Sequence, residues 1–217
     1  MIFLERLRFA VTTLLALWTP LALQADDFNF VTKSKVLIHS KVELSAVQKR
    51  GFRKFARGGD FFGAFFIDPG GDAFTFMTDL HNVKDAILVS EQGCRLYIKL
   101  YGGKECALYA TIEAISKSEF PGSTESISKS LAQFGKKNVY RYNRLRSGFI
   151  AISATRSGVW AISEIKKSEA AAIKEANRLC RELVQRNRQE NGKYASLLSE
   201  LGLYRCTPSF SFSAVTD

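Results

Sequence analysis

Histidine, and the catalytic motifs built around it, are scarce in this chain. Only His39 and His81 occur in 217 residues, and their spacing matches no zinc-binding pattern. The sequence also contains no Gly-x-Ser-x-Gly, no His-Glu-x-x-His and no phosphate-binding loop. The 20 acidic residues that follow position 25 include no pair whose placement suggests a glycosidase. These absences exclude the hydrolase and nucleotide-binding classes that such motifs identify.

A hydrophobic run long enough to cross a membrane is missing at the N-terminus. Residues 9–23 are apolar apart from three threonines and a proline, about 15 residues where a spanning helix needs ~20. Arg6 and Arg8 precede the run, and Ala25 offers a small residue for a peptidase. This layout predicts a secretory signal peptide over 1–25, with an uncleaved anchor as the alternative. No cysteine lies near the cleavage point, so a lipoprotein anchor is not indicated.

Acidic residues are outnumbered by basic ones. The chain has 31 Lys and Arg against 21 Asp and Glu, a formal charge of +10. Removal of residues 1–25 leaves 29 and 20, a formal charge of +9. Outside the cytoplasm such a balance favours lipid head groups, cell-wall polymers or acidic proteins as partners rather than nucleic acid. The alternative is that the positive charge only maintains solubility.

Cysteine is rare but even in number: Cys94, Cys106, Cys180 and Cys206. In an exported protein this count predicts two disulfides, and composition leaves three pairings open. Four buried free thiols are the alternative, which requires a reducing compartment.

A similarity between two segments of the chain narrows the choice among the three disulfide pairings. Placing Phe74 on Trp160 aligns FTFMTDLHNVKDAILVSEQGC with WAISEIKKSEAAAIKEANRLC without a gap, and Cys94 then meets Cys180. Upstream, Gly63 meets Gly148 if the second turn carries one extra residue. A period near 85 residues predicts a duplicated unit.

Each copy has the same predicted elements. A first helix (42–56 and 126–135) precedes a hairpin, whose strands are 63–67 and 73–77 in the first copy and 149–153 and 159–163 in the second. A second helix starts from the N-caps Asn82 and Ser168 and places Cys94 and Cys180 on its buried face. A polar, Gly-containing connection then leads to Cys106 and Cys206, which open third strands at 107–115 and 207–215.

The most economical pairing is therefore Cys94–Cys106 and Cys180–Cys206, one disulfide within each copy. The predicted fold class is α+β, with two tandem helix-hairpin-helix-strand repeats. The predicted organisation is a signal peptide (1–25), a lead-in (26–42), a first repeat (43–117), a linker (118–125) and a second repeat (126–217).

The pattern resembles a small exported bacterial domain of unknown function. The likeness rests on Gly63-Ala64-Phe65, Ala86, Cys94, Cys106 and Leu108-Tyr109-Ala110 in the first copy, and on Gly148, Trp160, Ala170 to Ala172, Cys180 and Cys206 in the second. The second copy departs by lacking an Ala after Gly148 and by its long cystine loop. The resemblance implies export and a disulfide-linked α+β fold, and it implies no activity, cofactor or functional residue.

Basic and aromatic residues precede each hairpin, in QKRGFRKFARGG (48–59) and GKKNVYRYNRLRSG (135–148). Such runs can bind anionic polymers, with aromatic rings that stack or lie at a membrane interface. Alternatively, the rings belong to the core and the charges form a solvated helix face. The candidate binding residues are Lys49, Arg50, Arg53, Lys54, Arg57, Lys136, Lys137, Arg141, Arg144 and Arg146.

The leading hypothesis is a non-enzymatic periplasmic or secreted protein that needs no cofactor or metal. It binds an anionic envelope component or an acidic protein, with membrane contact only at the periphery. A second hypothesis is an envelope hydrolase that uses Asp79, His81 or Glu91, and Asp79, His81 and Asp85 are the candidate ligands of a metal. A third is an enzyme inhibitor whose reactive tips are the turns 68–72 and 154–158.

Overall fold

The computed structural model describes residues 30–116, 126–143 and 147–215. The first range, called the N-terminal half, contains β1 (Ser34–Ile38), α1 (Ala46–Gly58), β2 (Gly63–Ile67), β3 (Phe74–Met77), α2 (Val83–Tyr101) and β4 (Ala107–Ala114). The other two, called the C-terminal half, contain α3 (Lys129–Asn143), β5 (Ser147–Ala154), β6 (Trp160–Ile162), α4 (Glu169–Glu200) and β7 (Thr207–Val215). The predicted α+β class is confirmed. The predicted signal peptide and the linker 118–125 lie outside these residues.

The N-terminal half is an antiparallel sheet, in the order β1-β4-β2-β3, between two helices. Phe65 of β2 packs against Phe52 and Phe55 of α1, with ring centroids 5.5 and 5.4 Å apart. On the opposite face, Thr75 of β3 donates a hydrogen bond to the carbonyl of Ser90 in α2, at 2.8 Å. Because both faces are covered, β2 is buried along its whole length.

The C-terminal half forms an antiparallel sheet in the order β6-β5-β7. Helix α4 packs closely on β5, since Ala172 and Ala176 meet Ala151 and all three are buried. The hairpin connection covers 68–73 in the N-terminal half and 155–159 in the C-terminal half. The second turn is thus one residue shorter, and the expectation of an extra residue was wrong.

Both disulfides have the expected partners. Cys94 of α2 is bonded to Cys106, directly before β4, and Cys180 of α4 is bonded to Cys206, directly before β7. Each bond ties a helix to the strand that follows it. Two disulfides are consistent with a protein that folds outside the cytoplasm. No helix in the described parts of the chain is long and apolar enough to span a membrane.

The long connection between Cys180 and Cys206 is not the polar loop that the sequence suggested. Helix α4 continues to Glu200, with a break at Gly192, whose φ of 50° and ψ of −122° are not helical. After the break the chain turns onto the N-terminal half, where Tyr194 Oη donates to the carbonyl of Val89 at 3.1 Å. Leu198 and Leu203 are buried in the main core. The apolar residues of this segment therefore join the two halves into one core.

The first helix of each half also starts later than predicted. Leu44 and Ile127, expected on helix faces, are buried in the segments just before α1 and α3. Ser45 is the actual N-cap of α1. The predicted N-caps Asn82 and Ser168 are confirmed, because their side chains accept from the amides of Asp85 and Ala171.

We expect Gly51→Ala to destabilise the protein. A Cβ at Gly51 would lie 2.3 Å from Cε2 of Phe74, and this ring packs nearly parallel to the rings of Phe65 and Phe76. Overpacking of this kind costs about 1–3 kcal/mol, and helix propensity returns at most ~1 kcal/mol of it, so we expect a net loss of up to about 2 kcal/mol. Chemical denaturation measures the difference.

Gly58→Ala is the matched control in the same helix. A Cβ there meets only the Asp60 carboxylate, at 3.6 Å, so we expect no loss of stability and a gain of up to ~1 kcal/mol from helix propensity. Equal stability of the two variants would show that α1 does not press on Phe74.

Candidate functional site

Helix α1 presents a cationic face to solvent. At 100° per residue, five basic side chains fall within an arc of about 140°, and all are exposed: Lys49, Arg50, Arg53, Lys54 and Arg57. The helix contains no acidic residue. Five of the ten predicted binding residues are thus brought together on one surface, called here the α1 cationic face.

The charges of this face are poorly compensated. Lys49 Nζ lies 3.2 Å from Glu43 Oε1, and both side chains are exposed, so the pair adds little stability. The other four cations make no ion pair within the described residues. The α1 cationic face therefore keeps most of its positive potential.

Gln48 fixes the first turn of α1. Ser45 and Gln48 form a capping box, in which each side chain accepts from the other's backbone amide, at 3.3 and 3.0 Å. The buried Gln48 amide nitrogen also donates to the carbonyls of Asp68, Gly71 and Ala73 at 2.9–3.0 Å. The helix is therefore tied to the β2–β3 turn. Sequence reasoning missed this role, although the Ser-x-x-Gln signature was present.

The aromatic residues of the 48–59 segment belong to the core. Phe55 is fully buried and Phe52 is half-buried, and both pack on β2. Stacking on a ligand or insertion at a membrane interface is thus not open to Phe55. For α1, the arrangement is a buried aromatic face opposite a solvated basic face.

The second basic segment is described only in part. Lys136 and Lys137 are exposed on α3. Arg141 lies in α3, with its side chain outside what the structure describes, and Arg144 and Arg146 lie outside the described residues. Helix α3 begins where α1 ends, because Lys129 Nζ donates to the carbonyl of Gly59 at 3.1 Å.

Asp79, His81 and Asp85, the candidate metal ligands, hold the two halves together. The backbone amide of Ser128 donates to His81 Nδ1 at 3.0 Å, and that of Ser130 donates to Asp79 Oδ1 at 2.8 Å. Asp85, which is buried, accepts from both Nε and Nη2 of Arg156. We call this cluster the joint. Within the described residues, no three His, Cys, Asp or Glu side chains are placed to hold a metal ion.

Burial alters the protonation of the joint. It lowers the pKa of His81 from 6.5 to about 4, with nearby Asp85 opposing the shift. Because Nδ1 accepts a hydrogen bond, neutral His81 carries its proton on Nε2, which is buried without a partner among the described residues. Burial also raises the pKa of Asp79, and the hydrogen bonds from Ser130 oppose that change.

The other candidate residues lie elsewhere. Glu91, proposed for the hydrolase hypothesis, lies in the middle of α2 and accepts from Arg95 at 2.6 Å. Of the two predicted reactive tips, the one at 154–158 is docked: the amide of Ser157 donates to the carbonyl of Leu203 at 3.1 Å. The tip at 68–72 is exposed from Gly70 to Asp72.

An apolar groove was missed by the sequence reasoning. It has a volume of about 300 Å³ and lies between α2, β3 and Tyr194. The rings of Tyr97 and Tyr101 are 4.7 Å apart on its rim, and Tyr101 is 72% exposed. The tyrosines and leucines at 96, 97, 100 and 101 were the available signal, because they continue the apolar face of α2 beyond Cys94.

Comparison of the chain with protein-family models, curated proteins and solved structures finds no match. The resemblance to an exported domain of unknown function stays a prediction.

We expect the free energy of unfolding to fall as the pH drops from 6.5 towards 4. The unfolded chain binds a proton at His81 with a pKa near 6.5, whereas the folded protein resists it until about pH 4. At pH 4, protonation of His81 in the unfolded chain but not in the folded protein lowers the free energy of unfolding by about 3 kcal/mol. Denaturant titrations at several pH values measure this slope.

The control is His81→Asn, whose amide oxygen can accept from Ser128 but does not titrate. The slope between pH 6.5 and 4 should be smaller in this variant. Asp79 acts with the opposite sign, since an aspartate whose folded pKa is raised loses stability as the pH rises. Its effect is common to both proteins and cancels in their difference. Identical slopes would contradict the assignment of His81.

Proposed function

We propose that this chain is an exported, non-enzymatic binding protein of the bacterial envelope, and that the α1 cationic face contacts an anionic envelope component or an acidic protein. The observation that carries the proposal is the α1 cationic face itself, five exposed cations on a helix without an acid. The ligand is held by charge, because the apolar face of α1 is already used in the core.

Export to the periplasm is supported by two features. Residues 1–25 have the layout of a signal peptide, and the four cysteines form two disulfides, which persist in oxidising compartments. Both features agree with a partner outside the cytoplasm.

The non-enzymatic assignment is supported by the role of the joint. The side chains that sequence reasoning offered for catalysis, Asp79 and His81, accept hydrogen bonds from the start of α3. A general base needs a free lone pair directed at a substrate, and the only lone pair of neutral His81 is already used.

We also propose that the two halves are tandem copies of one unit. The support is a common strand register. Ile67 pairs with Phe74 and Ala107, and Ala154 pairs with Trp160 and Thr207. In each half the ladder to the last strand shifts once, at Phe65/Phe66 and at Ile152/Ser153.

This register implies a different alignment upstream of the hairpin. Gly63 corresponds to Ile150 rather than to Gly148, because both lie four residues before the end of the central strand. A crystal structure tests the duplication: the segment from α1 to β4 should superpose on the segment from α3 to β7, with the two disulfides in matching places. Unlike folds of the two halves would refute it.

Reversal of two charges tests the binding function. We expect Arg50→Glu/Lys54→Glu to weaken co-sedimentation of the purified protein with isolated bacterial envelope by about tenfold or more, because contacts with a polyanion release counterions. Binding should also fall steeply between about 50 and 300 mM NaCl, where screening shortens the reach of exposed charges.

The matched control is Lys174→Glu/Arg181→Glu on α4. These two side chains are also exposed, and the change in net charge is the same. The control should bind within about threefold of the wild type. Equal losses in both variants, or binding that salt does not change, would refute the α1 cationic face as the contact.

A further inference from the structure

We infer that the anionic partner is a linear polyanion, which lies along α1 and continues onto α3, rather than a single small anion or a lipid bilayer. The inference rests on the proposed function and specifies its ligand. Four observations carry it: the rows of cations on α1, the burial of its apolar face, the contact of its end with α3 and the position of Lys136.

The cations of α1 form two rows that follow the helix axis. Lys49, Arg53 and Arg57 recur every four residues, which advances about 6 Å each time, and Arg50 and Lys54 form a neighbouring row. The whole face is about 12 Å long. A helix surface is convex, so exposed side chains diverge and do not enclose one small anion. An extended ligand with many charges can contact all of them.

A bilayer is the less suitable partner. A helix that lies in a membrane interface inserts its apolar face between the lipids. In α1 that face is occupied, because Gly51 meets Phe74, and Phe55 is fully buried against Phe65. Only head-group contact is left to α1, and a polymer provides the same charges without the cost of approaching a flat surface.

The C-terminal end of α1 would normally repel an anion. Free carbonyl groups and the helix dipole make it negative, and Asp60 adds a carboxylate. Lys129 offsets both, with its ammonium 3.2 Å from Asp60 Oδ1 and 3.3 and 3.1 Å from the carbonyls of Gly58 and Gly59. The Lys129 side chain is 19% exposed. A polyanion can therefore pass from α1 to α3 at this point.

Lys136 continues the path. It lies seven residues after Lys129, two turns further along α3 and within about 20° of the same line. Lys136 therefore lies on the same stripe of α3 as Lys129, whose ammonium contacts the end of α1. Lys136 and its neighbour Lys137 are both exposed. The path extends about 10 Å beyond the junction.

The test compares ligands of different length at equal charge concentration. The probes are long-chain polyphosphate, tripolyphosphate and phosphatidylglycerol vesicles, with polygalacturonate as a carboxylate polymer. We expect the purified disulfide-bonded protein to bind both polymers at least about tenfold more tightly per charge than tripolyphosphate or vesicles. A preference for one polymer identifies phosphate or carboxylate as the natural group.

Charge-reversal variants separate the contribution of α1 from that of α3. Lys136→Glu/Lys137→Glu should weaken the binding of long-chain polyphosphate by about fivefold and leave the binding of tripolyphosphate unchanged, because only a long chain reaches α3. Arg50→Glu/Lys54→Glu should weaken both. Lys174→Glu/Arg181→Glu should weaken neither, and circular dichroism checks that every variant is folded.

The outcomes distinguish the two claims. Affinity per charge that does not depend on length, tighter binding to vesicles than to polymers, or no effect at Lys136 and Lys137 would overturn the polymer inference alone. If the α1 variant binds every probe as tightly as the α4 control does, the α1 cationic face is not a binding surface and the proposed function fails with it.

Discussion

Strand β2 has no exposed residue from Gly63 to Ile67, and a strand buried on both faces needs an element packed on each side. Helix α2 covers one side and α1 the other. Because α1 turns Gly51, Phe52 and Phe55 towards the sheet, its charged residues lie on the opposite face, and every one of them is basic. The α1 cationic face is thus a consequence of how β2 is covered. Its position is set by close contact at Gly51 and by the hydrogen bonds of Gln48, so the charges are carried on a rigid support rather than on a loop.

The joint supplies hydrogen-bond acceptors to the start of α3. The first amides of any helix lack partners within the helix, and the start of α3 meets the N-terminal half, away from water. Asp79 and His81 accept from Ser130 and Ser128 and so provide the missing partners from another part of the chain. Asp85 adds a bond to Arg156 across the same contact. The side chains whose types suggested metal binding therefore act as hydrogen-bond acceptors between the two halves. His81 can accept only in its neutral form.

The sequence was a good guide wherever the signal was local. The hairpin strands and the N-caps Asn82 and Ser168 were predictable, because alternation and capping chemistry are expressed within short segments. The disulfide partners were predictable for another reason, the similarity of pattern between the two halves. The end of α4 was not predictable in this way. Its residues after Gly192 looked like a polar connection, and their apolar members make sense only against α2, far away in sequence. The joint was equally hidden, since the amides that His81 and Asp79 bind belong to residues about fifty positions later. The α1 residues were identified as basic from sequence, but their common face, and the single ion pair that they make within the described residues, emerged only from the structure.

Even as proposed copies of one unit, the two halves do not offer two equivalent sites. Matching turns now have different surroundings: 68–72 is exposed from Gly70 to Asp72, whereas in 154–158 Arg156 binds Asp85, and a Cβ on Gly158 would lie 2.8 Å from the carbonyl of Asp79. The C-terminal half therefore uses its turn to cover part of the N-terminal half. An inhibitor with two reactive tips would need both turns in solvent, which this packing prevents. In the duplication that we propose, the second copy enlarges the core, and the exposed helix face of the first copy is the surface proposed to meet a ligand.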